Sequence, residues 1–282
     1  MPKKLYGIIG YPIKHTLSPE MHNAAFKALG IDAEYKPFEV RPENLGEGIK
    51  DLVASGVSGF NVTIPHKVSC MKFLNKIDDY ANFIGAVNTV NVGIPGTESF
   101  LSGYNTDGPG FLCSLKEDLK FEPRDKNIFI IGAGGAARAV FFTLAKAGAK
   151  SITVVDKIKD NAIDLAKRYS LLCSTAWVRY DKDWTPYVAD SNLLINASPV
   201  GMKEADPALI DEKLLYKNLA VFDLVYNRET RLVKTAKVKG LNACNGLGML
   251  LYQGVLAFEI WTGKKAPVTV MKEALVASLQ GI

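Results

Sequence analysis

Ile128-Phe129-Ile130-Ile131-Gly132-Ala133-Gly134-Gly135-Ala136-Ala137 runs from an apolar segment, read as a strand over 126–131, into a glycine cluster, and a helical pattern over 138–147 follows. The glycines fit G-x-G-x-x-A, which between a strand and a helix is the fingerprint of a dinucleotide-binding turn. Glycine at 132 permits the tight turn, glycine at 134 lets backbone approach a pyrophosphate, and Ala137 permits close packing of the helix. The helix N-terminus then presents unpaired N–H groups to phosphates, and Gly135 and Ala136 are assigned to the cofactor with the turn. A second strand over 151–156 ends on Asp156, 19 positions past Ala137, where a ribose-binding carboxylate belongs. A glycine-rich turn with no ligand is the bland alternative; the strand–turn–helix–strand–Asp context favours a dinucleotide.

Outward from that unit, β-rich runs alternate with helical ones, which argues for an α/β chain with mainly parallel sheets. Upstream, strands are expected over 5–11, 34–40, 59–64, 86–92 and 99–104, the last two joined through a Pro95-Gly96 turn. Helices are expected from an N-cap at Ser18, with Pro19 in the first turn, to Gly30, then over 42–55 and after His66. Downstream, 108–119 reads as a connecting helix, 192–196 and 219–225 as buried strands, and 249–262 and 268–278 as helices. The domain boundary is placed near residue 106, with the C-terminal helices packing back on the first domain.

The 282 residues are 48% hydrophobic and 22% charged, with 24 Gly and 13 Pro. That balance excludes disordered, collagen-like and disulfide-scaffold classes. With 34 basic against 29 acidic residues, the net charge of +5 is too small and too scattered for a nucleic-acid or polybasic membrane surface. Cys70, Cys113, Cys173 and Cys244 form no C-x-x-C pair, and His15, His22 and His66 show no zinc-ligand spacing. Reduced thiols and no structural metal are expected. The most apolar stretch, 128–149, is cut by four glycines, Arg138 and Lys146, so no membrane helix is expected. Only 5–11 is apolar after Lys3 and Lys4, too little for a secretory leader, and a cytoplasmic protein is expected.

Elsewhere, polar residues combine with breakers at strand ends. These segments read His15-Thr16-Leu17-Ser18-Pro19, Asn61-Val62-Thr63-Ile64-Pro65-His66-Lys67, Gly85-Ala86-Val87-Asn88-Thr89 and Gly103-Tyr104-Asn105-Thr106-Asp107-Gly108. Hydroxyls, amides, one lysine and one aspartate suit a polyhydroxylated, carboxylate-bearing small molecule. Together with Asn196-Ala197-Ser198-Pro199-Val200-Gly201-Met202, Asp223-Leu224-Val225-Tyr226-Asn227 and the run from Asn245-Gly246 to Gln253-Gly254, they make the chain resemble the shikimate dehydrogenase family along essentially its whole length. The resemblance implies reversible reduction of 3-dehydroshikimate to shikimate with NADP or NAD, in aromatic amino-acid biosynthesis. It also implies a substrate-binding domain of 1–106 plus 247–282, a Rossmann domain of 107–246, and a monomer or homodimer acting on a small molecule.

Carried over position by position, Lys67 matches the family's catalytic lysine and Asp107 its catalytic aspartate. Hydride delivery to a ketone builds negative charge on oxygen, which a positioned donor protonates. A solvated helix-start lysine and a helix N-cap are the bland readings of these two residues. Thr16 and Ser18 match a Ser-x-Ser pair that holds the substrate carboxylate; threonine departs from the usual serine, and its methyl narrows the pocket. Asn61, Thr63, Asn88 and Gln253 match residues that bond the substrate hydroxyls, Tyr226 matches a tyrosine of the same site, and Leu224 and Gly246 are carried to the cofactor. Members that use NADP typically carry Asn-Arg-Thr after the second Rossmann strand, where this chain reads Asp156-Lys157-Ile158. Asp156 favours NAD or dual use, whereas Lys157 keeps a positive charge for a 2′-phosphate. Two alternatives stand beside this reading: a quinate/shikimate dehydrogenase preferring NAD, and a noncatalytic dinucleotide sensor, which would have no need of Lys67 and Asp107.

Overall fold

The structure is a computed structural model that describes residues 3–93 and 100–280. The Pro95-Gly96 turn lies outside the described residues. By internal contacts the chain divides into two compact units, Met1–Thr106 with Leu251–Ile282, and Asp107–Leu250.

In the first unit β1 (Lys4–Gly10), α1 (Ser18–Ala28), β2 (Ala33–Glu39), α2 (Leu45–Ala54), β3 (Val57–Val62), β4 (Lys76–Ile77), α3 (Asp79–Ile84), β5 (Thr89–Val92) and β6 (Leu101–Tyr104) follow in order. The sheet runs β2-β1-β3-β5-β6-β4. Its β2-β1-β3 half is parallel, while β5 lies antiparallel to both β3 and β6. Ile9, Phe60, Val62, Val87 and Val90 pack its core with Leu45, Ile49 and Leu52 of α2.

The second unit contains α4 (Asp107–Glu117), β7 (Asn127–Ile131), α5 (Gly135–Lys146), β8 (Ser151–Asp156), α6 (Lys159–Arg168), β9 (Ser174–Arg179), α7 (Thr185–Ala189), β10 (Leu193–Asn196), β11 (Ala220–Asp223), α8 (Arg231–Val238) and β12 (Ala243–Asn245). Its sheet runs β12-β11-β10-β7-β8-β9 with every pairing parallel. This is the doubly wound order, and it reverses between β7 and β10, the point at which such sheets hold ligands beyond their carboxyl ends. The continuous apolar strands β7 and β10 are what a sheet covered on both faces requires.

The chain re-enters the first unit within α9 (Leu247–Thr262) and ends in α10 (Val268–Gln280). Trp261 stacks on Tyr6 with ring centroids 5.3 Å apart and donates Nε1–H to the Val90 carbonyl at 2.9 Å, and α10 packs on α1. The C-terminal helices therefore pack back on the first sheet, as the sequence suggests.

Local differences have physical causes. Ser18 is the first residue of α1 and not its cap; the cap position, Leu17, offers no side-chain bond, and Thr16 Oγ1 instead accepts the Ser18 N–H at 3.3 Å. Past His66 there is only a 3-10 turn, Ser69–Phe73, because the Lys67 carbonyl accepts the Val87 N–H at 2.8 Å and is not available to a helical turn. The helix after the glycines opens at Gly135, three residues before the residues that look helical in sequence.

Candidate active site

In the first unit the polar segments meet at strand ends. Thr63 N–H donates to the Ile9 carbonyl at 2.9 Å, which carries the β1–β3 pairing one step past Val62 and delivers Thr63 and Lys67 beyond the end of β3. His66 N–H closes a tight turn onto the Thr63 carbonyl at 2.8 Å. The His66 ring is buried with Nε2 at 2.6 Å from the Val40 carbonyl, a structural clasp that leaves Lys67, half-buried, as the chemistry-bearing residue of the segment.

Asn88, directly before β5, is the centre of a buried polar network. Its Oδ1 accepts the Thr106 N–H at 2.8 Å and the Thr89 hydroxyl at 2.9 Å. Its Nδ2 donates to Thr106 Oγ1 at 2.9 Å and to Gln253 Oε1 at 3.3 Å. Asn61 on β3 donates both amide hydrogens inside the protein, to the Asn88 carbonyl and to Thr89 Oγ1, each at 3.1 Å. Asn61, Asn88 and Gln253 are thus brought together, with Thr89 and Thr106 added. Such a network is stabilising only when every buried member is satisfied. Thr89 and Thr106 were legible only as the hydroxyl neighbours of Asn88 and Asp107.

Thr16, half-buried, and Ser18, buried, stand at the head of α1. Asp107 follows Thr106 directly, is 4% exposed and opens α4, where a carboxylate in the first turn complements the helix dipole. Tyr226, half-buried, stands just past β11, and burial holds its phenol above the ordinary tyrosine value.

In the second unit the glycine turn occupies the β7–β10 switch point. Gly132 has φ +109°, and a Cβ there would lie 2.7 Å from the Ala197 backbone. Over Gly134 the opposite holds, since a Cβ would meet nothing within 4 Å. With Gly134 as cap and α5 starting at Gly135, the first-turn N–H groups of Gly135 and Ala136 have no helical carbonyl to bond. An open face beside unpaired donors at a helix N-terminus fits a dinucleotide pyrophosphate.

The Asp156 carboxylate accepts the Ala133 N–H at 2.7 Å through Oδ2 and the Ile158 N–H at 2.8 Å through Oδ1. It therefore pins the glycine turn to the end of β8. Lys157 Nζ lies 5.6 Å from the Tyr180 ring centroid and Lys159 Nζ 5.4 Å from that of Trp177, so both cations rest on aromatic faces. Leu224 and Gly246 come together, because a Cβ on Gly246 would collide with the Leu224 carbonyl. The buried Asp223 accepts from Thr230 Oγ1 at 2.6 Å, Asn196 Nδ2 at 2.8 Å and the Val225 N–H at 3.0 Å, which ties together the segments after β10 and β11. Burial pushes its carboxyl up to about 6.

Two family models match: the shikimate dehydrogenase substrate binding domain over residues 8–90, and the shikimate 5′-dehydrogenase C-terminal domain over 246–276. A shikimate dehydrogenase (NADP(+)) of Methanopyrus kandleri is 44% identical over 280 residues, covering 97% of this chain and 95% of that one. A crystal structure of a shikimate dehydrogenase in complex with NADP+ superposes with a TM-score of 0.88 at 41% identity, covering 98% of this chain and 96% of that one. Another, of shikimate 5-dehydrogenase from Listeria monocytogenes with shikimate and NAD, gives 0.86 at 37%, covering 97% and 96%. A parallel sheet with the glycine turn at its switch point, a second sheet with clustered amides and hydroxyls, and relatives matched over nearly their whole length agree: the chain belongs to the shikimate dehydrogenase family.

Proposed function

We propose that the enzyme interconverts 3-dehydroshikimate and shikimate with Lys67 as the donor of the proton to the ketone oxygen and Asp107 as the carboxylate that orients it. The observation that supports this most is the buried network of Asn61, Asn88, Thr106 and Gln253, assembled beside the strand ends that deliver Thr63 and Lys67. Thr16 and Ser18 hold the substrate carboxylate. Thr16 Oγ1 uses a lone pair to accept the Ser18 N–H, which leaves its proton for an anion. Asn61, Thr63, Asn88 and Gln253 meet the ring hydroxyls, and Tyr226 is a further substrate contact.

A nicotinamide dinucleotide, when bound, supplies the hydride for reduction. Gly132 and Ala133 shape its turn, Gly134, Gly135 and Ala136 receive the pyrophosphate, Asp156 and Lys157 meet the adenosine ribose, and Leu224 and Gly246 are further cofactor contacts. Asp156 opposes a 2′-phosphate and Lys157 attracts one, which favours NAD or dual use over the strict NADP use named for the relatives. Among the described residues no helix is long and apolar enough to cross a membrane, and a cytoplasmic monomer or homodimer is the assembly that goes with this reading.

Steady-state kinetics with shikimate and quinate, each with NAD+ and NADP+, test the assignment. Shikimate turnover with either dinucleotide supports it. Its absence from folded protein overturns it, and quinate turnover at a comparable kcat/KM makes the enzyme a quinate/shikimate dehydrogenase.

A further inference from the structure

Tyr35 bonds Asn61, a residue given to the substrate, and no motif in the sequence singles it out. It lies on β2, the edge strand of the first sheet, yet is only 1% exposed. Its backbone is clamped by one side chain of α1: Asn23 Oδ1 accepts the Tyr35 N–H at 2.8 Å, and Asn23 Nδ2 donates to the Tyr35 carbonyl at 3.0 Å. Its ring is covered by another, since His22 stacks on it with centroids 4.4 Å apart and planes 13° from parallel. Among the described residues neither nitrogen of His22 has a hydrogen-bond partner, so the ring meets the phenol by stacking alone.

The hydroxyl is thereby aimed. It donates to Asn61 Oδ1 at 2.7 Å. A phenol has one proton, and giving it to Asn61 fixes which end of that amide faces Tyr35 and which faces Asn88 and Thr89.

We propose that Tyr35 is a positioning residue for substrate binding, whose phenol sets the orientation of the Asn61 amide for the incoming molecule. The proposal rests on the reading that Asn61 contacts the substrate.

Tyr35→Phe keeps the ring and the His22 stack while deleting the hydroxyl's bond to Asn61. The expected result is a KM for shikimate raised about threefold to tenfold, with kcat within about twofold and the dinucleotide KM unchanged. A purely structural role would instead lower the denaturation midpoint or the active fraction without moving the shikimate KM, and that result overturns the proposal. Asn61→Ala measured alongside separates the two readings. If it raises the shikimate KM and Tyr35→Phe does not, the positioning role alone falls; if folded Asn61→Ala leaves the KM unchanged, the substrate assignment of Asn61 falls and the proposal with it. Should Tyr35→Phe not fold, Asn23→Ala loosens the same strand with the phenol present, and an unchanged shikimate KM there overturns the proposal.

Discussion

The Asn88 amide donates to Gln253 Oε1 at 3.3 Å, joining residues 165 positions apart, one at the start of β5 and one on the C-terminal helix α9. That contact places a side chain from the end of the chain beside the N-terminal polar segments. Without Gln253, the network around Asn88 would lack the acceptor that α9 brings to it.

Proton delivery is the first consequence open to measurement. Lys67→Ala should lower kcat by about 100-fold or more with KM comparatively unchanged, as expected when an interaction used mainly in the transition state is removed. Asp107→Ala should lose most activity too, and the double variant should be far less impaired than the product of the single effects. Near-normal kcat in folded Lys67→Ala contradicts the assignment, and strict multiplicativity shows two residues acting separately.

Glycines 132 and 134 should fail for different reasons. Gly132 combines φ +109° with backbone 2.7 Å from any Cβ, so Gly132→Ala should be destabilising wherever cofactor binds. Gly134 has φ −74° and open space around it, so Gly134→Ala should fold with a near-normal denaturation midpoint. Its methyl would stand in the pyrophosphate's place and should raise the KM for both NAD and NADP about tenfold, roughly a 1.4 kcal/mol penalty. An unaltered dinucleotide KM would remove the pyrophosphate from that face.

Much of this was legible in the sequence because the second unit obeys local rules. An apolar strand, glycines at set spacing and a following Asp are enough to place a ligand at a switch point, and the structure puts Gly132 there. The first unit was read less well. The Lys67 segment looked like a helix start, because nothing local reveals that its carbonyl is taken by Val87 N–H. Tyr35 and Thr106 gave no signal of their own, since their roles come from partners distant in sequence, Asn61 and Asn88. Asp156 was read as a ribose ligand, and its two bonds to the Ala133 and Ile158 N–H groups are a tertiary and a turn contact that spacing alone does not show.

Acid should act in opposite directions on the two units. Burial lowers His22 from 6.5 to about 3, so below pH 6.5 the unfolded chain binds a proton that the folded one refuses, and stability falls with pH over that window. Asp223 is raised from 3.8 to about 6, so its contribution is fully present below 3.8 and is lost as the pH rises through about 6. Each effect has a limiting slope of about 1.4 kcal/mol per pH unit. His22→Phe, which keeps a ring against Tyr35, should gain on the parent protein between pH 7 and pH 5 in denaturant titrations, and Asp223→Asn should lose on it over the same span. Parallel pH profiles for variant and parent would refute the corresponding sign.

Cofactor choice turns on a carboxylate that already has two partners. Asp156 accepts backbone N–H groups through both oxygens, which disperses part of its charge but leaves an anion at the end of β8. A 2′-phosphate bears nearly two negative charges, and bringing it there costs repulsion that a plain ribose escapes. The cations that would compensate are engaged elsewhere. Lys157 rests over Tyr180 and Lys159 over Trp177, and a lysine that leaves an aromatic face meets a phosphate as a point charge without the planar fork of arginine. A residual penalty of about 1.4 kcal/mol is a tenfold preference, so on the proposed reading the expected outcome is a kcat/KM for NAD equal to or above that for NADP. Asp156→Asn retains one oxygen for the Ala133 N–H while removing the charge, and should move kcat/KM toward NADP by about tenfold at saturating shikimate. A parent enzyme that prefers NADP tenfold or more, with a ratio unmoved by the substitution, would show that Asp156 serves only to pin the glycine turn.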